Sequence, residues 1–164
     1  MTGDARFFNT IPADQSIRTS LHCSQELARA LDRYTRSRHG CKTALIRKIL
    51  FDLDRFLDSH DSNIFNEVLL ESFTGTIATA ETCAHLNLSV EASLYNSLRK
   101  RLPKQLPALL RFILFSIIQG IETTGVTFLY YTLNEATTLE YYIPALALKL
   151  SKEAPADAPG PVGS

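Results

Sequence analysis

The chain has 164 residues, of which 45% are apolar and 21% charged, a composition that suits one soluble domain with a core of its own. Seventeen acidic residues balance seventeen basic ones, so a broad electrostatic grip on nucleic acid is not implied, although a local basic patch is compatible with the count. Cys23, Cys41 and Cys83 stand far apart with no Cys-x-x-Cys spacing, and no leader is recognisable at the start. The expectation is reduced thiols in an intracellular protein.

Residues 1–15 hold scattered apolar side chains and read as an irregular arm. "SIRTSLHC" has the best strand-like alternation in the chain. From there on helical periodicity dominates. "SQELARALDRYTRS" opens on Ser24, a good N-cap, and sets Leu27, Ala30, Leu31 and Tyr34 on one face. "KTALIRKILFDLDRFLDSH" carries the strongest apolar stripe, from Leu45 through Leu53 to Leu57. "NIFNEVLLESF" repeats the spacing with Phe65, Val68, Leu69 and Phe73. "TIATAETCAHL" is small almost all round and reads as a central helix that neighbours can approach closely.

"VEASLYNSLRKRL" is amphipathic with a basic C-terminal end, which suits the helix dipole. Pro103 and Pro107 punctuate the chain before the apolar "ALLRFILFSIIQG". Gly125 restarts it into "VTFLYYTLNEA", and "LEYYIPALALKL" follows with Pro144 bending or starting the last helix. No stretch holds the ~18 consecutive apolar residues of a membrane span. "EAPADAPGPVGS" reads as a disordered tail. We read no internal repeat and no linker. The expected architecture is all-α, one bundle of seven or eight helices over 16–152 with a tail at 153–164.

Signatures of catalysis are missing: no phosphate-binding glycine loop, no His-Glu-x-x-His and no Gly-x-Ser-x-Gly. His22, His39, His60 and His85 stand singly, without metal-ligand spacing. The expectation is a protein that is not an enzyme and uses no cofactor or metal.

Two pairs of short motifs carry resemblances. "VLLESFTGTIATAETCAHL" and "SIIQGIETTGVTFLYYTL" together resemble the first and second homology motifs of the Bcl (B-cell lymphoma two) family of apoptosis regulators. Gly75 and Ile77 match the first motif; Ile118, Gln119, Thr127 and Phe128 match the second. "ETTGVTFLYYTL" is similar to the gammaherpesvirus members. The chain departs from the pattern at Thr74 and Thr76, where the family has Trp and Arg, and at Gly125, near the place of a second Trp. Thr76 cannot supply the charge that pairs with an Asp of the ligand helix.

The resemblance implies a viral anti-apoptotic protein whose apolar central helices support a surface hydrophobic groove. Its partners would be the BH-three helices of Bim, Bak and Bax, and the Beclin helix, with autophagy restrained as well. The groove would use Phe65, Val68, Leu69, Phe73, Gly75, Thr76, Ile77, Ala80, Phe128 and Leu129. A monomer in the host cytoplasm would follow, with any membrane association peripheral, at mitochondria or endoplasmic reticulum, and no nucleic acid expected.

The alternative is a DNA-binding regulator. "IRTSLHCSQELARALDRYTRSRHGCKTALIRKIL" resembles a ribbon-helix-helix module, whose strand would direct Arg18, Ser20 and His22 into the major groove. Gly40 sits one place late for that pattern, and Ala44 replaces its usual Glu. Such a module needs two strands, so a monomer is expected to exclude it. "TAETCAHLNLSVEASLYNSLRKRL" is similar to a helix-turn-helix with its reading helix at "VEASLYNSLRKR".

Overall fold

The computed structural model describes residues 7–36, 41–72, 84–125 and 139–153. The expected all-α bundle is not what forms. Two eight-residue strands, β1 (Ser16–Cys23) and β2 (Ala84–Glu91), pair antiparallel into a two-stranded sheet. Around it lie α1 (Gln25–Thr35), α2 (Cys41–Leu57), α3 (Asn63–Ser72), α4 (Ala92–Arg101), α5 (Leu106–Thr124), α6 (Leu139–Tyr142) and α7 (Pro144–Glu153).

The period of two explains both strands. In β2, Leu86, Leu88 and Val90 are buried while His85, Asn87 and Ser89 are exposed; in β1, Leu21 and Cys23 are buried while Arg18, Ser20 and His22 are exposed. Pairing Leu21 with Leu86 and Ile17 with Val90 puts the apolar set of both strands on one face. The central helix expected over "TIATAETCAHL" is corrected at its end, because Ala84, His85 and Leu86 belong to β2. Helices joined by a turn do not precede "VEASLYNSLRKR" either: a strand runs directly into α4, which removes the helix-turn-helix reading.

The helices start and stop for local reasons. The Ser24 hydroxyl accepts a hydrogen bond from the Leu27 backbone N–H at 3.1 Å, satisfying one orphan donor of α1. Ser24→Ala is expected to cost about 1 kcal/mol of stability in urea unfolding, with unchanged helical content at low denaturant. Pro107 lies in the first turn of α5, where its missing N–H does no harm. At the far end Thr123 and Thr124 donate to the Gln119 and Gly120 carbonyls at 2.9 and 2.6 Å, and Gly125 caps the helix with φ +80°. The left-handed conformation there is why a glycine follows the two threonines.

A continuous core runs beneath the sheet, built from Leu31, Ile49, Leu53, Leu98, Leu109 and Ile113, among others. α5 is long and apolar enough to cross a membrane, but half of it is buried inside the molecule, where it acts as the central core helix. The described part of the arm is docked: Phe7 is buried, its ring 5.6 Å from that of Phe51, and Arg47 donates to the Phe7 and Asn9 carbonyls at 2.7 and 2.6 Å. On α2, Lys48 and Asp52 form a buried ion pair one turn apart, at 2.7 Å.

The element order also reveals a repeat that the sequence reading missed. Strand, helix and helix occur twice, as β1–α1–α2 and as β2–α4–α5. Once the two are set side by side, the sequence agrees. "ALIRKILF" (44–51) and "ALLRFILF" (108–115) are identical at six of eight positions. Four residues before each stands a residue suited to a turn, Gly40 in the first and Lys104, at φ +70°, in the second.

The halves are exchanged across the sheet: α2 packs on β2 and α5 on β1. Their equivalent arginines do the same. Arg47 on α2 reaches Glu91 at the end of β2 (3.5 Å), and Arg111 on α5 donates to the His22 carbonyl near the end of β1 (3.2 Å). The element order, the strand register and the two arginines together relate the halves as an approximate local two-fold within one chain.

Candidate nucleic-acid interface

On the outer face of the ribbon, Ser16 and Glu91 are half-buried at one end, and the other six side chains are polar and exposed. In register they form three rows: Arg18 beside Ser89, Ser20 beside Asn87, and His22 beside His85. Aligning the two repeats at their helix caps, Ser24 and Glu91, superposes Ser20 on Asn87. The local two-fold therefore passes through the middle row. It exchanges Arg18 with His85 and His22 with Ser89, so the two halves of the face carry different chemistry.

Every one of these side chains can donate a hydrogen bond, and four types of donor and acceptor geometry are present. The face carries one carboxylate, that of Glu91 at its end, which lies 3.5 Å from the Arg47 guanidinium. At one end the rings of His22 and His85 lie 4.1 Å apart, edge to face. At the other end Arg18, Ser20, Asn87 and Ser89 border a hollow of about 610 Å³ whose far wall includes Thr43, in the first turn of α2. Behind the ribbon the Thr19 hydroxyl and the Tyr95 phenol lie 3.3 Å apart, tying β1 to α4.

Arg18, Ser20 and His22 thus stand where the strand reading put them. Their partners His85, Asn87 and Ser89 were missed, because "HLNLSVE" was divided between a small-residue helix and the start of the next one. The signal was present as a strict alternation from His85 to Val90. The two histidines counted as single residues are cross-strand neighbours. Among the described residues no group of three or more His, Cys, Asp or Glu side chains could hold a metal ion.

The groove residues fare differently. Phe65 is fully buried, its ring 5.1 Å from that of Phe56, so it is core rather than groove surface. Val68 and Leu69 lie on α3, with their side chains outside the described structure. Phe73, Gly75, Thr76, Ile77, Ala80, Phe128 and Leu129 lie outside the described residues. The basic end of α4 is anchored: Arg101 pairs with Asp58 at 2.8 Å and with Asp54 at 3.5 Å, both on or just beyond α2.

A second feature lies between α1 and α5, which run side by side in the same direction. Arg111 and His22 meet at one end, and the Tyr34 phenol donates to the Glu122 carboxylate at 3.2 Å at the other. Burial, followed by that bond and by the Glu122 charge, pushes the Tyr34 phenol up from its ordinary value, which keeps it a donor. Between the two contacts is a cleft of about 810 Å³. Comparisons with family models, curated proteins and solved structures find no match for this chain.

Proposed function

We propose that this chain is a sequence-specific DNA-binding protein that lays the β1–β2 ribbon in the major groove, as one self-contained ribbon-helix-helix unit. The observation that carries this reading is the outer ribbon face, with six exposed hydrogen-bonding side chains in register and its one carboxylate, Glu91, set at the end against Arg47. Two strands about 4.8 Å apart fit a groove about 12 Å wide. Arginine suits the acceptor pair on a guanine edge, asparagine the donor–acceptor pair on an adenine edge, and serine either. Arg18 and Asn87 are the residues best equipped to specify bases.

The expectation that a monomer excludes such a ribbon gives way here. The second strand is supplied by the same chain, through the internal repeat. A homodimeric ribbon presents the same side chains in both halves and favours palindromes. This one presents Arg18 and His22 in one strand against His85 and Ser89 in the other, so its target is expected to lack two-fold symmetry. The balanced charge fits a protein that depends on base contacts more than on phosphate attraction, with a shallow salt dependence. Most of the residues on which the anti-apoptotic reading leaned lie outside the described residues, and the all-α architecture it implied is corrected by the two-stranded sheet among the helices.

Selection from a random duplex pool, followed by stoichiometry on the winning sequence by analytical ultracentrifugation, tests the proposal. The expected result is a non-palindromic consensus bound by one chain per duplex. No enrichment over the unselected pool would end the DNA reading. A palindromic consensus holding two chains would end the single-chain form of it.

A further inference from the structure

We propose that the α1–α5 cleft binds a small amphipathic anion, a carboxylate or phosphate carried on an apolar body, and that Arg111 links its occupancy to the ribbon. The floor is apolar: Leu27 and Ala30 come from α1, Phe115 and Ile118 from α5. The rim is cationic, with Arg29, Arg33 and Arg36 spaced along one stripe of α1 and Arg111 facing them from α5. The cleft volume of about 810 Å³ falls in the range of small-molecule sites, roughly 300–1,000 Å³. The contacts at its two ends, Arg111 with His22 and Tyr34 with Glu122, limit the length of what it can hold.

Charge selects the class of ligand. Like charges three and four residues apart on a helix repel. None of the four arginines makes an ion pair among the described residues: Arg29 donates to the neutral Gln25 amide at 3.3 Å, and Arg33 lies 5.2 Å over the Tyr34 ring. The two carboxylates of the lining, Glu26 and Glu122, leave an excess of positive charge, and Glu122 already accepts from Tyr34. An anion with an apolar body satisfies rim and floor together, whereas a neutral or cationic amphiphile satisfies only the floor.

The link to the ribbon is the hydrogen bond from Arg111 to the backbone of His22, whose ring stands on the reading face against His85. An anion that draws the guanidinium into the cleft competes with that bond. Linkage then requires that DNA and the anion alter each other's affinity by the same factor. This coupling rests on the DNA-binding function proposed above; the ligand site does not.

The test uses the full chain with anilinonaphthalene sulfonate as a fluorescent probe, displaced by decanoate, decanol or decyltrimethylammonium. Decanoate is expected to displace the probe at least ~tenfold more effectively than the other two, a difference of one ion-pair interaction. The Arg29→Gln/Arg33→Gln variant, altered at exposed positions and checked for unchanged helical content, is expected to lose that preference. Equal displacement by all three amphiphiles, or a preference that survives in the variant, overturns the site. In a second arm, saturating decanoate shifts DNA affinity in the wild type but not in Arg111→Gln. An unchanged wild-type affinity overturns the coupling. Absence of DNA binding altogether overturns the function proposed above and leaves the displacement result standing.

Discussion

Lys48→Ala is expected to destabilise the protein by about 3–5 kcal/mol, enough to remove much of the stability of a domain this size. Lys48 is fully buried and Asp52 nearly so, with 2.7 Å between Nζ and Oδ2. Removing the ammonium takes away the cation that Asp52 holds at 2.7 Å and weakens the compensation of a buried carboxylate. Asp52→Ala should cost a similar amount for the mirror reason. The double variant Lys48→Met/Asp52→Leu should recover most of the loss, since apolar groups of similar volume replace the pair. The second repeat carries no ion pair at the equivalent places, where Phe112 and Ser116 stand. Urea unfolding of the two single variants and the double one measures the coupling directly. Single variants that lose under 1 kcal/mol would mean that the pair is not desolvated as its burial states.

The second large effect is on recognition. Arg18→Ala and Asn87→Ala are each expected to weaken binding to the selected duplex by about 1–3 kcal/mol, while stability moves by less than about 0.5 kcal/mol because both side chains are exposed. Their patterns should differ. Arg18 lies on one side of the local two-fold, so its loss should flatten base preference on one side of the site. Asn87 lies in the central row, so its loss should flatten preference at the middle. A panel of single-base variants titrated against each protein separates the two. A uniform drop across all sequences for Arg18→Ala would reassign that residue to phosphate contact.

What the sequence disclosed depended on how far each signal reached along the chain. The Ser24 cap, the α2 stripe and the break at Gly125 are local, and each reads directly. The alternation of "SIRTSLHC" was visible too, and so was its likeness to the strand of a ribbon-helix-helix module. The partner strand was not recognised. Eight residues with small neighbours on the N-terminal side and a clear amphipathic helix on the other are easily absorbed into both. Without β2 the first strand had nothing to pair with, and an isolated strand argues for helix everywhere else. The repeat was hidden for a related reason. "ALIRKILF" and "ALLRFILF" each look like an ordinary core helix, and the match acquires meaning only when the preceding strands are known to pair. The cleft between α1 and α5 depends on which faces of two distant helices meet, and no local pattern encodes that.

Carrying both strands in one chain also changes how such a protein would answer to its own abundance. A ribbon assembled from two copies exists only above the concentration at which the copies associate, and its level rises with the square of chain number when scarce. Here the second strand is tethered to the first, so closure is a first-order event and dilution does not open it. Occupancy of a single site would then follow protein number without a threshold, from the first molecules made. A protein built this way suits a setting in which few copies must act at once and graded output is preferred to a switch.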